Sequence, residues 1–288
     1  MPALLKQPTT VSAQIDFLDP ALEEVPYSCL GPPARDPPTN IESYPVDVEI
    51  TDLRSIPDYL HEFTTATSGF QIVEHESACL DEIDSEEGKQ KYFKEMEQLL
   101  LASLPGSTRV QVFNSTIRRK KHNAPAAGTA RTPENTGPVS RAHNDNTPMS
   151  GARRVLAEME DEGEELSKGR CQIINVWRPL SYPAVDCPLA AMDYRTLDAE
   201  KDLVPTDLIL SNEGGRKGQN YSVLHSPAQK WYYLSEQRPD EAIIFKIYDS
   251  LVEPGLSQLT PHSAFVNPLA PADALPRQSI EIRALVFY

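Results

Sequence analysis

The sequence has only 4 cysteines, Cys29, Cys79, Cys171 and Cys187, widely separated and with no Cys-x-x-Cys pair. That spacing excludes a zinc knuckle and a dense disulfide framework, so free thiols in a reducing compartment are expected. No apolar run is long enough to span a bilayer. The opening residues, MPALLKQPTTVSAQ, lack the apolar core of a signal peptide. Positive charge is scarce as well: the formal net charge is −15. General nucleic-acid binding, which needs clustered cations for phosphates, is therefore excluded. The one basic run, Arg118 to Lys121, reads as a solvated strand end. Glycine is scarce (13) beside proline (26), which favours turns and irregular connections over a helix bundle. What remains is a globular composition, 40% apolar and 24% charged over 288 residues, able to bury a sizeable core. The expectation is a cytoplasmic protein with a small-molecule partner, no nucleic acid and no membrane.

Residues 1–45, rich in proline and polar side chains, read as an arm that wraps the surface or reaches a partner subunit, which allows a homodimer. Residues 46–288 read as a single domain. Tyr44 to Ile50, Gly69 to Glu74 and Thr108 to Ile117 alternate as half-buried strands do. Gln90 to Ser103 carries Tyr92, Met96, Leu99 and Leu100 at helical spacing, and Pro105-Gly106 ends it. Gly151 to Lys168 predicts a second helix with an acidic end, and Ile56 to Thr64 a short one. The stretch from Arg118 to Val139 predicts a long polar loop, a kind of segment that is often functional. Residues 181–230 read mostly as loop. Strands dominate thereafter, at Lys230 to Ser235, Glu241 to Tyr248, Pro261 to Val266 and Gln278 to Tyr288. The fold class expected is α+β, mainly β: a double-stranded β-helix (a cupin-like jelly roll) with flanking helices.

The stretch Arg141 to Thr147 contains a His-x-Asp pair, His143 and Asp145. On an extended segment these side chains share a face, because strand side chains repeat every second residue. They supply two of the three ligands of a 2-His-1-carboxylate facial triad, which leaves positions open on a non-heme Fe(II). Of the 6 histidines, His61, His75 and His122 have ordinary contexts, leaving His225 and His262 as candidates for the third ligand. His262 has the better context. It follows an apolar strand and precedes a last strand carrying Arg283, with Arg277 just before it. An arginine fork holds a carboxylate through two parallel hydrogen bonds, and an interior arginine needs an anionic partner such as 2-oxoglutarate.

Several stretches, "INVWRPL", "CPLAAMDYRT", "KWYYLSEQRPDEAIIFKIYDS", "PHSAF" and "PRQSIEIRALVFY", resemble a fungal hydroxylase/desaturase family. Its members include AsaB-like, gibberellin desaturase-like and cephalosporin methoxylase subunit-like proteins, within the Fe(II)/2-oxoglutarate-dependent oxygenases. The resemblance covers roughly residues 65 to 288. It implies Fe(II), 2-oxoglutarate and O2, acting on a small secondary metabolite by hydrogen abstraction to give hydroxylation, desaturation or oxidative cyclisation. It assigns His143, Asp145 and His262 to the metal, and Arg283 first, or Arg277, to the co-substrate. The chain departs from the family at Gln229, where relatives place a histidine before the Trp-Tyr-Tyr element. That departure keeps His225 as the alternative distal ligand. Asn175, Arg178 and Trp231 are the candidate substrate contacts. Two other classes compete: an accessory subunit with the same fold and no chemistry, and a cupin-type metal oxygenase that does not use 2-oxoglutarate.

Overall fold

The computed structural model describes residues 9–30, 35–119, 137–210 and 216–288. The stretch 120–136, which holds His122 and most of the expected polar loop, lies outside the described residues. Fourteen strands occur among the described residues: β1 (Thr10–Leu18), β2 (Tyr27–Leu30), β3 (Ser43–Asp52), β4 (Phe70–Glu74), β5 (Arg109–Arg119), β6 (His143–Asn144), β7 (Cys171–Pro179), β8 (Leu189–Met192), β9 (Leu203–Leu210), β10 (Arg216–Val223), β11 (Trp231–Tyr233), β12 (Glu241–Asp249), β13 (His262–Ala264) and β14 (Gln278–Phe287). The helices are α1 (Tyr59–Glu62), α2 (Glu86–Ser103), α3 (Pro148–Met159), α4 (Gly163–Leu166) and α5 (Ala199–Asp202).

The strands form two sheets. A 9-stranded sheet runs β1-β3-β11-β8-β13-β6-β10-β9-β2, and a 5-stranded sheet runs β4-β12-β7-β14-β5. The central strands β7 and β12 are buried along their whole length, which is why they read as near-continuous apolar runs rather than as alternation. On β14, Ile280, Ile282, Ala284 and Val286 pack outward under α2, against Tyr92, Met96 and Leu100. Those three helix residues recur every fourth position, so α2 presents one apolar stripe to the sheet. The opposite face of β14 carries Glu281, Arg283 and Leu285 toward the space between the sheets. Leu285 joins Trp177, Phe245 and Ile247 there.

The first 45 residues are more than an arm. β1 pairs antiparallel with β3 from Thr10 to Leu18, and Ile15 and Phe17 are fully buried. The alternation of Val11, Ala13, Ile15 and Phe17 inward is a half-buried strand, so this stretch contributes to the core instead of staying outside it. β2 adds a further edge strand, parallel to β9. The single helix expected over Gly151 to Lys168 is also broken. α3 stops at Met159, Glu160 takes a positive φ of 45°, and a 3-10 turn leads into α4. Residues 181–230, expected as mostly loop with short extended pieces at 207–210 and 221–224, hold β8 and the longer antiparallel pair β9 and β10, which contains those pieces up to Val223.

Candidate active site

Both sheets contribute to one cavity of about 170 Å³. From the 9-stranded sheet, β6 and β13 lie side by side with His143 and His262 as register partners, so their rings meet with centroids 4.4 Å apart. Between the two candidate ligands of the His-x-Asp pair, Asn144 points the other way and is fully buried. Its amide donates to the carbonyls of Ile247 at 3.0 Å and Asn146 at 2.7 Å. That anchor fixes the short strand and returns Asp145 to the face of His143. The Nε2 of His143 stands 3.6 Å from Asp145 Oδ1. One ligand atom from each of His143, Asp145 and His262 lies within 4.8 Å of the others.

The donor set fits a divalent metal. His143 Nδ1 lies 2.7 Å from the carbonyl of Arg141, and His262 Nδ1 lies 3.0 Å from the carbonyl of Thr260. A carbonyl only accepts, so each Nδ1 carries the proton and each Nε2 keeps its lone pair for a ligand. Burial, and then the neighbouring His262, push His143 down to about 3, which keeps it an uncharged donor. Burial alone would raise Asp145. The Arg283 guanidinium, with the Asn175 hydrogen bond, instead holds it well below the ordinary carboxylate range. Two imidazole nitrogens and one ionised carboxylate are the ligands of a non-heme iron site with open positions.

The two arginines differ. Arg283, the favoured co-substrate anchor from sequence, donates from Nε to Asp145 Oδ2 at 3.0 Å and from Nη2 to Glu281 at 2.5 Å. Arg277 lines the same cavity and is 3% exposed. It donates from Nη1 to the Cys187 carbonyl at 2.9 Å and lies over the Trp177 ring at 5.4 Å. Its Nε makes no hydrogen bond, and no carboxylate forms an ion pair with its guanidinium among the described residues, although Asp186 accepts from its backbone N–H at 2.9 Å and Asp186 and Glu281 act on the charge from longer range. Burial accordingly pushes its guanidinium below the usual arginine value.

The other sequence candidates divide. Asn175 reaches the site, with its amide 3.0 Å from Asp145 Oδ2. Arg178, one residue past Trp177, points to the opposite face of β7 and donates to the His75 carbonyl at 3.1 Å, beneath α2. Trp231 is buried against Phe17, with ring centroids 6.0 Å apart, and does not line the cavity. His225 also packs on Phe17, at 5.1 Å, and lies outside the ligand group. Trp177, a candidate from sequence beside Asn175, lines the cavity, as do Ser263, Asn220 and Ser28, which sequence did not single out. Trp177 shares its strand face with Asn175, so period-2 alternation carried a signal for it. Nothing local marked Ser28 or Asn220, which arrive through the pairing of β2, β9 and β10.

Comparison with known proteins bears on this geometry. Residues 15–287 match a family described as "Oxidoreductase/YMDC permease-like domain". The chain is 32% identical over 276 residues, 93% of each chain, to the Fe(II)/2-oxoglutarate-dependent dioxygenase nvfI of Aspergillus novofumigatus. The chain belongs to the fungal Fe(II)/2-oxoglutarate-dependent dioxygenases. A solved structure of a variant of the iron and alpha-ketoglutarate-dependent endoperoxidase NvfI superposes with a TM-score of 0.85 and 30% identity, covering 97% of this chain and 98% of that one. A shorter stretch of 143 residues, 49% of this chain and 58% of that protein, is 44% identical to aspirochlorine biosynthesis protein N of Aspergillus oryzae. The jelly-roll architecture expected from sequence holds, and so do the reaction class and the co-substrates of the family: Fe(II), 2-oxoglutarate and O2. The enzyme is an oxidoreductase of small metabolites, which sets aside the accessory-subunit and cupin alternatives. No helix among the described residues is long and apolar enough to cross a membrane.

Proposed function

We propose that His143, Asp145 and His262 hold the iron of this dioxygenase and that Arg277 receives the far carboxylate of 2-oxoglutarate. The observation that carries this reading is the pairing state of the two arginines around one cavity. Arg283 is already ion-paired with Asp145 and Glu281, whereas buried Arg277 forms no ion pair among the described residues, Asp186 and Glu281 acting on its guanidinium only from longer range. A buried guanidinium without an anionic partner is costly and is relieved by an incoming carboxylate. The order of preference read from sequence, Arg283 before Arg277, is thereby reversed. When bound, the metal and co-substrates supply the oxidising power that abstracts a substrate hydrogen. The chain's own part is placement. The two Nδ1–H groups fix the imidazoles through backbone carbonyls, and Trp177 stacks beneath Arg277 and keeps the fork oriented.

The substrate is a small metabolite that binds in this cavity, whose lining also includes Asn220, Ser28 and Leu208. The cytoplasm is the proposed compartment, in keeping with four free cysteines. Anaerobic binding of 2-oxoglutarate to metal-loaded protein tests the anchor. Arg277→Met is expected to weaken it by about 2–5 kcal/mol, the usual loss for one partner of a buried charge pair, with metal affinity unchanged. Wild-type co-substrate affinity in Arg277→Met would remove the assignment.

A further inference from the structure

Asp145 is gripped on the oxygen that faces away from His143. Asn175 Nδ2 and Arg283 Nε each donate to Oδ2 at 3.0 Å, while Oδ1 is the atom turned toward His143 Nε2. The two donors are register partners on β7 and β14, so the 5-stranded sheet holds a carboxylate that the 9-stranded sheet presents. Arg283 is itself fixed on its remaining nitrogens, by Glu281 at 2.5 Å, Thr116 at 3.2 Å and Asn114 at 3.3 Å. Glu281 also offsets the arginine's charge. The pair can therefore orient Asp145 without drawing its negative charge away from a cation.

A carboxylate with both oxygens free can swing away from a metal or chelate it through both oxygens, closing a position a co-substrate needs. With Oδ2 committed to two donors, Asp145 presents Oδ1 alone. We propose that Arg283 and Asn175 are positioning residues that restrict Asp145 to single-oxygen ligation and so keep a coordination position open. The proposal rests on the reading of His143, Asp145 and His262 as the ligands. Outer partners of this kind hold a metal ligand in its productive orientation, and their loss typically lowers metal affinity or activity about 10- to 100-fold.

The test uses the full chain with Co(II) as the metal probe, reading affinity by titration and ligand geometry by the visible absorption of bound Co(II). Circular dichroism and thermal melting report folding of each variant. Arg283→Gln is expected to bind Co(II) about 10- to 100-fold more weakly and to change the absorption band. Asn175→Ala should shift both in the same direction, and Arg277→Met should shift neither. Wild-type affinity and spectrum in Arg283→Gln overturn the proposal. So does an Arg283→Gln variant that keeps its Co(II) site and loses only 2-oxoglutarate, since Arg283 would then be the anchor. If Arg283→Gln does not fold, Asn175→Ala decides, and wild-type values there overturn the proposal equally. Failure of the underlying ligand assignment shows separately, as retained Co(II) affinity in Asp145→Ala.

Discussion

At the scale of single residues, the site is decided by which groups already have partners. Arg277 and Arg283 are the same side chain on the same stretch of chain, and the roles proposed for them differ because Arg283 is ion-paired with Asp145 and Glu281 and Arg277 is not. Histidines separate in the same way. His262 stands beside His143 as its register partner, whereas His225 is an aromatic neighbour of Phe17. His262→Ala is therefore expected to abolish stoichiometric metal binding and turnover, while His225→Ala leaves metal affinity within about twofold, allowing for a surface change of about ±0.5 kcal/mol. Metal titration of the two variants checks this, and the reverse result would restore His225 as the distal ligand. The candidate ligands themselves were legible in the sequence, because a His-x-Asp pair and a histidine ahead of a terminal arginine strand are local patterns. The division of labour proposed for the arginines was not. It depends on Asp145 and Asn175, which lie far away in sequence and arrive only through sheet pairing.

At the scale of elements, the ligand strand β6 is only two residues long, and its position depends on the helix that comes after it. Thr147 caps α3 by accepting from the backbone of Ser150, and Pro148 opens the helix where its missing N–H costs nothing. The helix then packs on β12 at Gly151, where an added Cβ would collide with the Tyr248 ring. Gly151→Ala is expected to cost about 1–3 kcal/mol in urea unfolding by overpacking. It should also loosen metal binding, since α3 begins just after Asp145. A variant as stable as the parent would show that this contact yields at no cost. Elements with strong periodicity, such as α2 with Tyr92, Met96 and Leu100, were readable from sequence. The break at Glu160 was not, because its acidic neighbours carry no helix-stop residue and the end is set by a positive φ. The β1 strand was also missed, its Val11, Ala13, Ile15 and Phe17 alternation being overshadowed by the prolines downstream of it.

At the scale of the molecule, two curled sheets hold the site between them and the acidic surface stays outside. One charge cluster is nonetheless buried, outside the group of candidate metal ligands. Asp249 accepts from Arg170 at 2.7 Å, Lys246 at 2.8 Å and Gln172 at 2.6 Å. Burial alone would raise its carboxyl, but Arg170 and Lys246 hold it below the ordinary value of 3.8. Asp249 thus ionises more readily folded than unfolded. Its contribution is complete above the unfolded value and is lost as pH falls through the lower folded one. Urea unfolding between neutral pH and about pH 2–3 should show this loss in the parent and a smaller pH dependence in Asp249→Asn. The variant itself is expected to be about 3–5 kcal/mol less stable at neutral pH, because Lys246 and Arg170 lose their buried partner. Equal pH slopes would place the acid sensitivity in other carboxylates. The jelly roll as a whole was legible from strand count and proline content, while the joining of two sheets at one cavity became visible only in three dimensions. The central claim, an iron held by His143, Asp145 and His262 beside an Arg277-anchored co-substrate, is tested most directly by an anaerobic crystal structure of the protein with Fe(II) and 2-oxoglutarate. The expected result is a metal bonded to both imidazole Nε2 atoms and to one oxygen of Asp145, with the far carboxylate of 2-oxoglutarate on Arg277. A metal at His225, or that carboxylate on Arg283, would contradict it.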